Sequence, residues 1–234
     1  MTTSQPEYPR FNLLLILSRF REVALIVFIL ILMLLISLES PNFLTFGNFR
    51  DILMDISILA MIALAQAMII ITRGIDLSVA SMLALTAMMV AFVIRAYPHT
   101  PILLCVLLGM VLGVFLGSIN GLIISVGKVP PIIATLGTLA IYRGMVFLYS
   151  NGSWINAFEM PQAFKQLAKG TPLGLPNLVL VAALVAVIAY FFLNHTQAGR
   201  DIYALGTNPD AAKISGIRVD RVTFMVYAIA GLIC

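Results

Sequence analysis

Charged residues are scarce in this chain of 234 residues. The 14 Lys and Arg and the 10 Asp and Glu make up 10% of the sequence, whereas 61% is hydrophobic. A soluble domain carries charge on roughly a quarter of its residues, and so few charged side chains could not cover its surface. The composition therefore excludes a soluble enzyme, a secreted disulfide scaffold and a disordered chain, and it predicts an integral membrane protein.

Residues that bind metals or nucleic acids are also few. The two cysteines, Cys105 and Cys234, lie singly in apolar runs, and the two histidines, His99 and His195, stand alone near the ends of such runs. We therefore expect no metal site and no disulfide. The net charge is +4, but the basic residues are scattered, so we expect no nucleic-acid partner and interpret the excess as a signal of membrane topology.

Long stretches without charge locate the membrane-spanning helices. A spanning helix needs about 17–25 mainly apolar residues, and no segment shows the alternation of a barrel strand. The sequence therefore predicts an all-α, polytopic membrane protein with about six complete spanning helices and the start of a seventh near residue 223. The six lie at about 22–38, 55–72, 77–94, 102–124, 131–149 and 177–193.

These helices divide the chain into four predicted parts. Residues 1–22 form a cytoplasmic tail, 23–193 the transmembrane helices, and 194–222 a cytoplasmic loop. Residues 223–234 offer only about 18 Å of helix against a hydrocarbon core of about 30 Å. We therefore expect this last part to begin a spanning helix that is truncated.

Basic residues predict the orientation of the chain. If the N-terminus lies inside, nine Lys and Arg fall on inner segments and four on outer segments, which is the bias expected of cytoplasmic loops. The inner residues are Arg10, Arg19, Arg21, Arg73, Lys128, Arg200, Lys213, Arg218 and Arg221, and the outer ones are Arg50, Arg95, Lys165 and Lys169.

The predicted fourth helix carries glycine at every fourth position, which places all four glycines on one face. Because a glycine has no side chain, another backbone can approach such a face closely. We expect helix packing within one subunit, with a dimer interface or a pathway lining as alternatives. The four residues are Gly109, Gly113, Gly117 and Gly121.

Polar residues within the predicted helices are candidates for a translocation path. Their alternative roles are hydrogen bonds between helices for the two amides, and snorkelling or a salt bridge for the arginine. The candidates are Gln66, Asn120, Thr135, Thr138 and Arg143, with Tyr142 completing a polar stripe on the fifth helix.

A short polar segment, residues 72–78 (TRGIDLS), separates the second and third predicted helices. Arg73 and Asp76 are three residues apart and could pair on a helical turn, while Asp76 and Ser78 could cap the next helix. A capped cytoplasmic turn is one interpretation. The other is a helix break beside the translocation path, which adds Asp76 and Ser78 to the candidate path residues.

The segment 194–221 carries the start and stop signals of one short amphipathic helix. Asn208 before Pro209 is typical of an N-cap, Asp210 suits the positive helix end, and Gly216 can terminate the helix. The helix could lie in the membrane interface or dock a soluble partner, and its shortage of large apolar residues favours docking. The candidate docking residues are Asn208, Pro209, Asp210, Ala211, Ala212, Lys213, Ser215, Gly216 and Ile217, with Ala211, Ala212 and Gly216 expected to face the partner.

Catalytic signatures are lacking from the sequence. It contains no HExxH, no GxSxG and no paired carboxylates on one face, and the stretch from Gly121 to Lys128 departs from a phosphate-binding loop in spacing and in its last residue. We therefore expect no enzymatic activity and no ATPase site. An ion-coupled secondary transporter or a channel is the main alternative to be weighed, although its expected carboxylate has only Asp55 and Asp76 as candidates, both at predicted helix ends. A membrane-embedded enzyme ranks third.

Three segments, taken together and in order, resemble the permease subunits of bacterial ABC importers of the ribose, xylose and rhamnose type and of the autoinducer-2 type. Residues 72–81 (TRGIDLSVAS) resemble the GGIDLSVGS-like segment of that family, with Arg73 where many members have glycine. Residues 120–144 resemble its central signature, and 198–217 its cytoplasmic coupling segment.

The resemblance implies a permease of about ten helices in the bacterial inner membrane. Two permease subunits, identical or different, would pair with two cytosolic ATP-binding subunits and with an extracytoplasmic solute-binding protein. The permease itself would need no cofactor, since ATP is bound by its partner. Residues 208–217 would form the coupling helix, and the solute would be a monosaccharide or a similar small polar molecule.

Overall fold

The computed structural model describes residues 21–234, so most of the predicted tail, residues 1–20, lies outside the described residues. The described chain is helical and contains no strand, which confirms the all-α prediction there. Its helices are α1 (Arg21–Glu39), α2 (Phe46–Ile71), α3 (Val79–Ala96), α4 (Ile102–Ser125), α5 (Pro131–Ser150), α6 (Gln162–Lys169), α7 (Asn177–His195), α8 (Gln197–Thr207), α9 (Pro209–Ile214) and α10 (Val219–Ile233), with a 3-10 turn at Ala157–Glu159.

Five of these helices, α2 to α5 and α7, are long and apolar enough to span a membrane, and Val23–Glu39 adds a shorter apolar stretch. The described part of the chain forms two compact units, residues 21–52 and 53–234. In the first unit, α1 exposes leucine, isoleucine and valine side chains along most of its length, as a helix in contact with lipid does.

Helix α10 packs along α4 over most of its length and forms the most extensive helix pair of the second unit. Helix α3 packs against both α4 and α5, and α8 contacts α7, α9 and α10. A buried apolar core gathers Met68 and Ile69 of α2, Ile202 and Leu205 of α8, and Val226 of α10. This core joins the end of α2 to α8, which lies in the predicted cytoplasmic loop 194–222.

Two helices begin earlier than their charge-free stretches predicted. Helix α2 begins at Phe46 rather than near 55, and α10 begins at Val219 rather than near 223. The prediction was wrong because a charge-free stretch marks the part of a helix that can face lipid, whereas charged residues are accepted in turns beyond it. Asp55 therefore lies inside α2, where it is exposed, and not at a helix end.

Two polar helices were not predicted. Helix α6 follows Pro161 and places Phe164 against the buried cluster of Val90, Ile94 and Cys105. Helix α8 is capped by Thr196, whose hydroxyl accepts the Gly199 N–H at 3.0 Å. The segment 194–222 thus holds two helices where one was expected, because a short polar helix leaves no charge-free stretch in the sequence.

The second unit has two ends, which are named here by the helices they carry. At the α9 end, Lys128 between α4 and α5 forms an ion pair with Asp220 in the first turn of α10. At the α6 end, Arg95 lies 3.5 Å from Glu159 and its guanidinium stacks over the ring of Phe92. The backbone N–H of Asn156, with a further contribution from Arg95, holds the pKa of the Glu159 carboxyl below its usual value.

Candidate functional site

The candidate path residues divide into a buried polar cluster and two outlying side chains. Residues 72–78, the connection between α2 and α3, supply Asp76, which is 5% exposed. The backbone N–H and the hydroxyl of Ser78 both donate to Asp76 Oδ1, at 2.8 and 2.6 Å. The side-chain amide of Asn120 on α4 donates to Ser78 Oγ at 2.8 Å and approaches Asp76 Oδ2 at 3.4 Å. These hydrogen bonds connect the 72–78 connection to α4.

One expectation for this connection is wrong, and a second holds for Asp76 but not for Ser78. Arg73 does not pair with Asp76, because its guanidinium donates instead to backbone carbonyls of α8. Ser78 is the N-cap residue of α3 but makes no cap bond with its side chain, whereas Asp76 Oδ1 does accept the Ser78 N–H at the helix start. The Ser78 oxygen accepts the side-chain amide of Asn120 instead of a free N–H of α3.

The polar stripe of α5 faces this cluster. Thr135 and Thr138 are buried, and the Thr135 hydroxyl donates to Pro131 O at 2.8 Å while lying 3.4 Å from Ile75 O in the 72–78 connection. The Tyr142 hydroxyl donates to Leu116 O at 2.8 Å across the interface with α4. A solute could reach these groups only if the helices moved apart. Asn120 Oδ1 is buried without a partner, so the cluster retains one free acceptor.

Arg143 and Gln66 lie apart from that cluster. Arg143 is exposed and lines a groove of about 540 Å³ between α3 and α5, together with Ser81, Met88 and Trp154. Gln66 on α2 is half-buried, and its side-chain oxygen has no hydrogen-bond partner. The structure therefore brings together Asp76, Ser78, Asn120, Thr135 and Thr138, and it does not bring Arg143 or Gln66 to them.

The glycine face of α4 lies against α10. A Cβ added at Gly113 would be 2.1 Å from the carbonyl oxygen of Gly231, and one added at Gly117 would be 2.3 Å from that of Tyr227. Gly121 meets Phe224 at 3.0 Å, whereas Gly109 is in ordinary contact with side chains of α3. Three of the four glycines therefore allow α4 and α10 to touch backbone to backbone within one chain.

The short helix α9 has the ends that its sequence predicted. The Asn208 side chain accepts the N–H groups of Asp210 and Ala211, at 3.0 and 3.1 Å, and Gly216 adopts a left-handed φ of +86°. Its faces differ from the expectation, because Ala212 is 4% exposed and packs inward whereas Ile214 is 88% exposed. The small residue expected to face a partner is thus part of the chain's own packing.

Two grooves, of about 620 and 630 Å³, lie at the α9 end of the unit. One runs beside α8 and the residues that follow α9 and is lined by Asp201, and the other runs beside α9 and is lined by Lys128 and Lys213; Arg218 and Arg221 contribute to both. The exposed surface around α9 therefore combines both charge signs with one unpaired apolar side chain. Such a mixture suits a protein contact better than insertion into lipid, which needs a continuous apolar face.

Arg73 makes a contact that sequence reasoning missed. Its Nε donates to Gly206 O and its terminal NH2 to Thr207 O, both at 2.7 Å, across more than 130 residues of sequence. The two carbonyls end α8 directly before the Asn208 cap of α9. The sequence around Arg73 did not indicate its contact with α8, because Asp76 offered a nearer partner of opposite charge.

A family model matches residues 48–234, which is most of the chain. Its description is "Branched-chain amino acid transport system / permease component". The chain belongs to this family. The buried polar cluster, the glycine face and α9 all lie within the matched residues, so the geometry described above is that of a permease component.

Curated relatives in this family are import permeases. The chain is 38% identical to the ribose import permease of Escherichia coli K12 over 88% of its length, 35% identical to the galactose/methyl galactoside import permease of the same strain over 92%, and 32% identical to the autoinducer 2 import permease of Enterobacter sp. strain 638 over 91%. The chain spans 64% of the ribose permease, 69% of the galactose permease and 61% of the autoinducer 2 permease. No solved structure matches it.

Proposed function

We propose that the chain is the transmembrane permease subunit of an ATP-driven importer in the bacterial inner membrane. The solute class is a monosaccharide or a similar small polar molecule, which is the class named for the ribose and galactose permeases. The chain carries no ATPase site of its own, and the partners are a second permease subunit, cytosolic ATP-binding subunits and an extracytoplasmic solute-binding protein. The family match supports the general role, and the exposed surface of α9 supports the link to a soluble partner.

Helix α9 is the proposed docking point for the ATP-binding subunit. It carries the exposed Ile214, and Asp210 and Lys213 of the same helix line one of the two grooves. An exposed apolar residue surrounded by polar groups is the usual anchor of a protein contact. Ala212 supports the helix from beneath, whereas Ala211, Ile214 and Ser215 are exposed and available for contact.

Replacing Ile214 tests this docking directly. In the protein produced from its whole gene, Ile214→Asp should reduce capture of the ATP-binding subunit about tenfold or more, because a buried anchor is worth roughly 2 kcal/mol or more at an interface. Leu173→Asp is the matched control, since Leu173 is an apolar residue with 76% exposure at the α6 end. Both variants should accumulate normally in membranes. Equal capture by Ile214→Asp and the wild type would overturn the docking assignment.

The orientation that this function requires places the α9 end in the cytoplasm. In the described part of the second unit, six basic residues lie at the α9 end and three at the α6 end, which is the bias of a cytoplasmic face. The six are Arg73, Lys128, Arg200, Lys213, Arg218 and Arg221, and the three are Arg95, Lys165 and Lys169. Reporters fused after Asp210 and after Lys165 should read inside and outside, respectively; a cytoplasmic reading at Lys165 would reverse the orientation.

An ion-coupled transporter is the second candidate, because Asp76 is a buried carboxylate within the bundle. Proton- or sodium-coupled carriers use such groups to bind the driving ion. Asp76→Asn separates the two functions. Its side-chain oxygen can still accept from Ser78, so an ATP-driven importer should keep measurable uptake, whereas a carrier that loads its ion on Asp76 should lose gradient-driven uptake entirely.

A further inference from the structure

The contact of Arg73 with the end of α8 joins two parts of the permease that have different proposed roles. The last carbonyls of a helix lack partners within the helix and carry the negative end of its dipole, so a cation that donates to them is favourable. Arg73 meets two such carbonyls with two separate donors, on Gly206 and Thr207, at 2.7 Å each. The planar guanidinium holds these two donors in a fixed fork, whereas the donors of a lysine ammonium share one nitrogen and have no fixed fork geometry.

Both the Arg73 backbone and Gly206 have features that bear on this contact. Arg73 holds a left-handed backbone, φ +64°, which is strained for any residue with a side chain and which glycine would adopt freely. The guanidinium contacts must therefore offset a cost that glycine would not incur. On the opposite side, a Cβ at Gly206 would lie 1.9 Å from Ile71 O, so the absence of a side chain there lets α8 touch the end of α2.

Each side of the contact leads directly to a proposed functional element. Gly206 and Thr207 precede Asn208, the N-cap residue of α9, without an intervening residue. Arg73 lies three residues before Asp76, which binds Ser78 and Asn120 in the buried cluster. If the junction of α8 and α9 moves, the two hydrogen bonds of Arg73 can transmit the movement to the 72–78 connection. No other described side-chain hydrogen bond joins this junction to that connection.

We infer that Arg73 is the positioning residue that couples α9 to the 72–78 connection, so that movement of a partner docked on α9 is transmitted to the polar cluster. This inference rests on the proposed function. In it, α9 supplies the contact with the ATP-binding subunit, and Arg73 carries the resulting displacement inward. Loss of Arg73 should then leave docking intact while it uncouples ATP hydrolysis from transport.

Arg73→Gly is the sharpest test, because glycine relieves the backbone strain and removes only the guanidinium contact. Asn151→Gly is the matched control: Asn151 is also exposed and also left-handed, with φ +51°, and it follows the C-terminal end of α5, away from the surface around α9. Arg73→Lys keeps the charge and loses the fork, so it should lie between the wild type and Arg73→Gly.

Three readouts are compared in the protein produced from its whole gene. Arg73→Gly should capture the ATP-binding subunit as the wild type does, while the stimulation of ATP hydrolysis by solute-loaded binding protein, and uptake with it, fall about fivefold or more. In the permease alone, backbone amides of 208–215 should exchange hydrogen about tenfold faster or more than in Asn151→Gly, as expected when two charge-assisted hydrogen bonds are lost.

Several outcomes overturn the inference. Stimulation, uptake and exchange equal to those of Asn151→Gly would show that the contact transmits nothing. Loss of capture together with uptake would show that Arg73 acts in docking and not in coupling. Failure of the wild type to capture any ATP-binding subunit would instead overturn the proposed function, and the exchange measurement would still decide whether Arg73 positions α9.

Discussion

The contact between α4 and α10 makes a strong prediction for Gly113→Ala. The added methyl would lie 2.1 Å from Gly231 O, and the reverse change, Gly231→Ala, would place its methyl 2.1 Å from Gly113 O. The near atom in each case is backbone, which cannot rotate away as a side chain can. The two helices must therefore separate by about 1 Å or more to restore an ordinary carbon–oxygen contact. This separation weakens the dispersion attraction along the whole interface between α4 and α10.

The expected magnitude follows from this displacement. Overpacking a close interface typically costs about 1–3 kcal/mol, and we expect the upper part of that range because no flexible group can absorb the methyl. For a chain of this size, 1 kcal/mol lowers the melting temperature by roughly 2–4 °C. Gly113→Ala should therefore melt about 6–12 °C below the wild type in detergent.

Gly144→Ala is the matched control for that measurement. Gly144 also lies within a spanning helix, α5, but a Cβ there would meet nothing within 4 Å. Alanine in a helix is favoured over glycine by roughly 1 kcal/mol, so this variant should melt at or slightly above the wild-type temperature. A thermal scan followed by size-exclusion chromatography provides the assay. If the two variants melted together, α4 and α10 would not pack as described.

Three further predictions concern single polar contacts. Asn208→Ala should remove the cap of α9 at a cost of about 1 kcal/mol, seen as faster hydrogen exchange at Asp210 and Ala211; unchanged exchange would argue against the cap. A double-mutant cycle on Lys128 and Asp220, which are 65% and 59% exposed, should give a coupling below about 1 kcal/mol, and a much larger value would mean that the pair is shielded from water. Because the folded pKa of Glu159 lies below its ordinary value of 4.5, the stabilisation it gives the Ala157–Glu159 turn should be complete above that pH and be lost as the pH falls through the lowered pKa. Amide exchange in the turn checks this, and Glu159→Gln should remove the pH dependence.

The positions of the spanning helices were largely contained in the sequence. Charge-free stretches placed α3, α4, α5 and α7 within a few residues of their observed bounds, because lipid excludes charge and the backbone must satisfy its own hydrogen bonds there. The same signal does not exist for α6 and α8, which are polar helices outside such stretches. A charge-free stretch also does not locate the start of α2, because the first turns of that helix precede the stretch.

The partners of particular residues could not be obtained from the pattern. The spacing of Gly113 and Gly117 predicted a close approach, but which helix approaches depends on how the whole bundle packs, and the partner is α10. Arg73 has a carboxylate three residues away and yet contacts carbonyls more than 130 residues distant. Ala212 has the composition of a contact residue and is buried in its own chain. Each outcome is set by tertiary packing, which local propensity does not encode.

Uptake into sealed vesicles can decide whether the chain is the permease of an ATP-driven importer. The vesicles contain the protein from its whole gene with its ATP-binding subunits, and a labelled monosaccharide is supplied with or without its binding protein. An ATP-driven importer should show uptake only when ATP and the loaded binding protein are both present, and no change when proton and sodium gradients are collapsed by ionophores. Uptake that proceeds without ATP and disappears with an ion gradient would contradict this assignment.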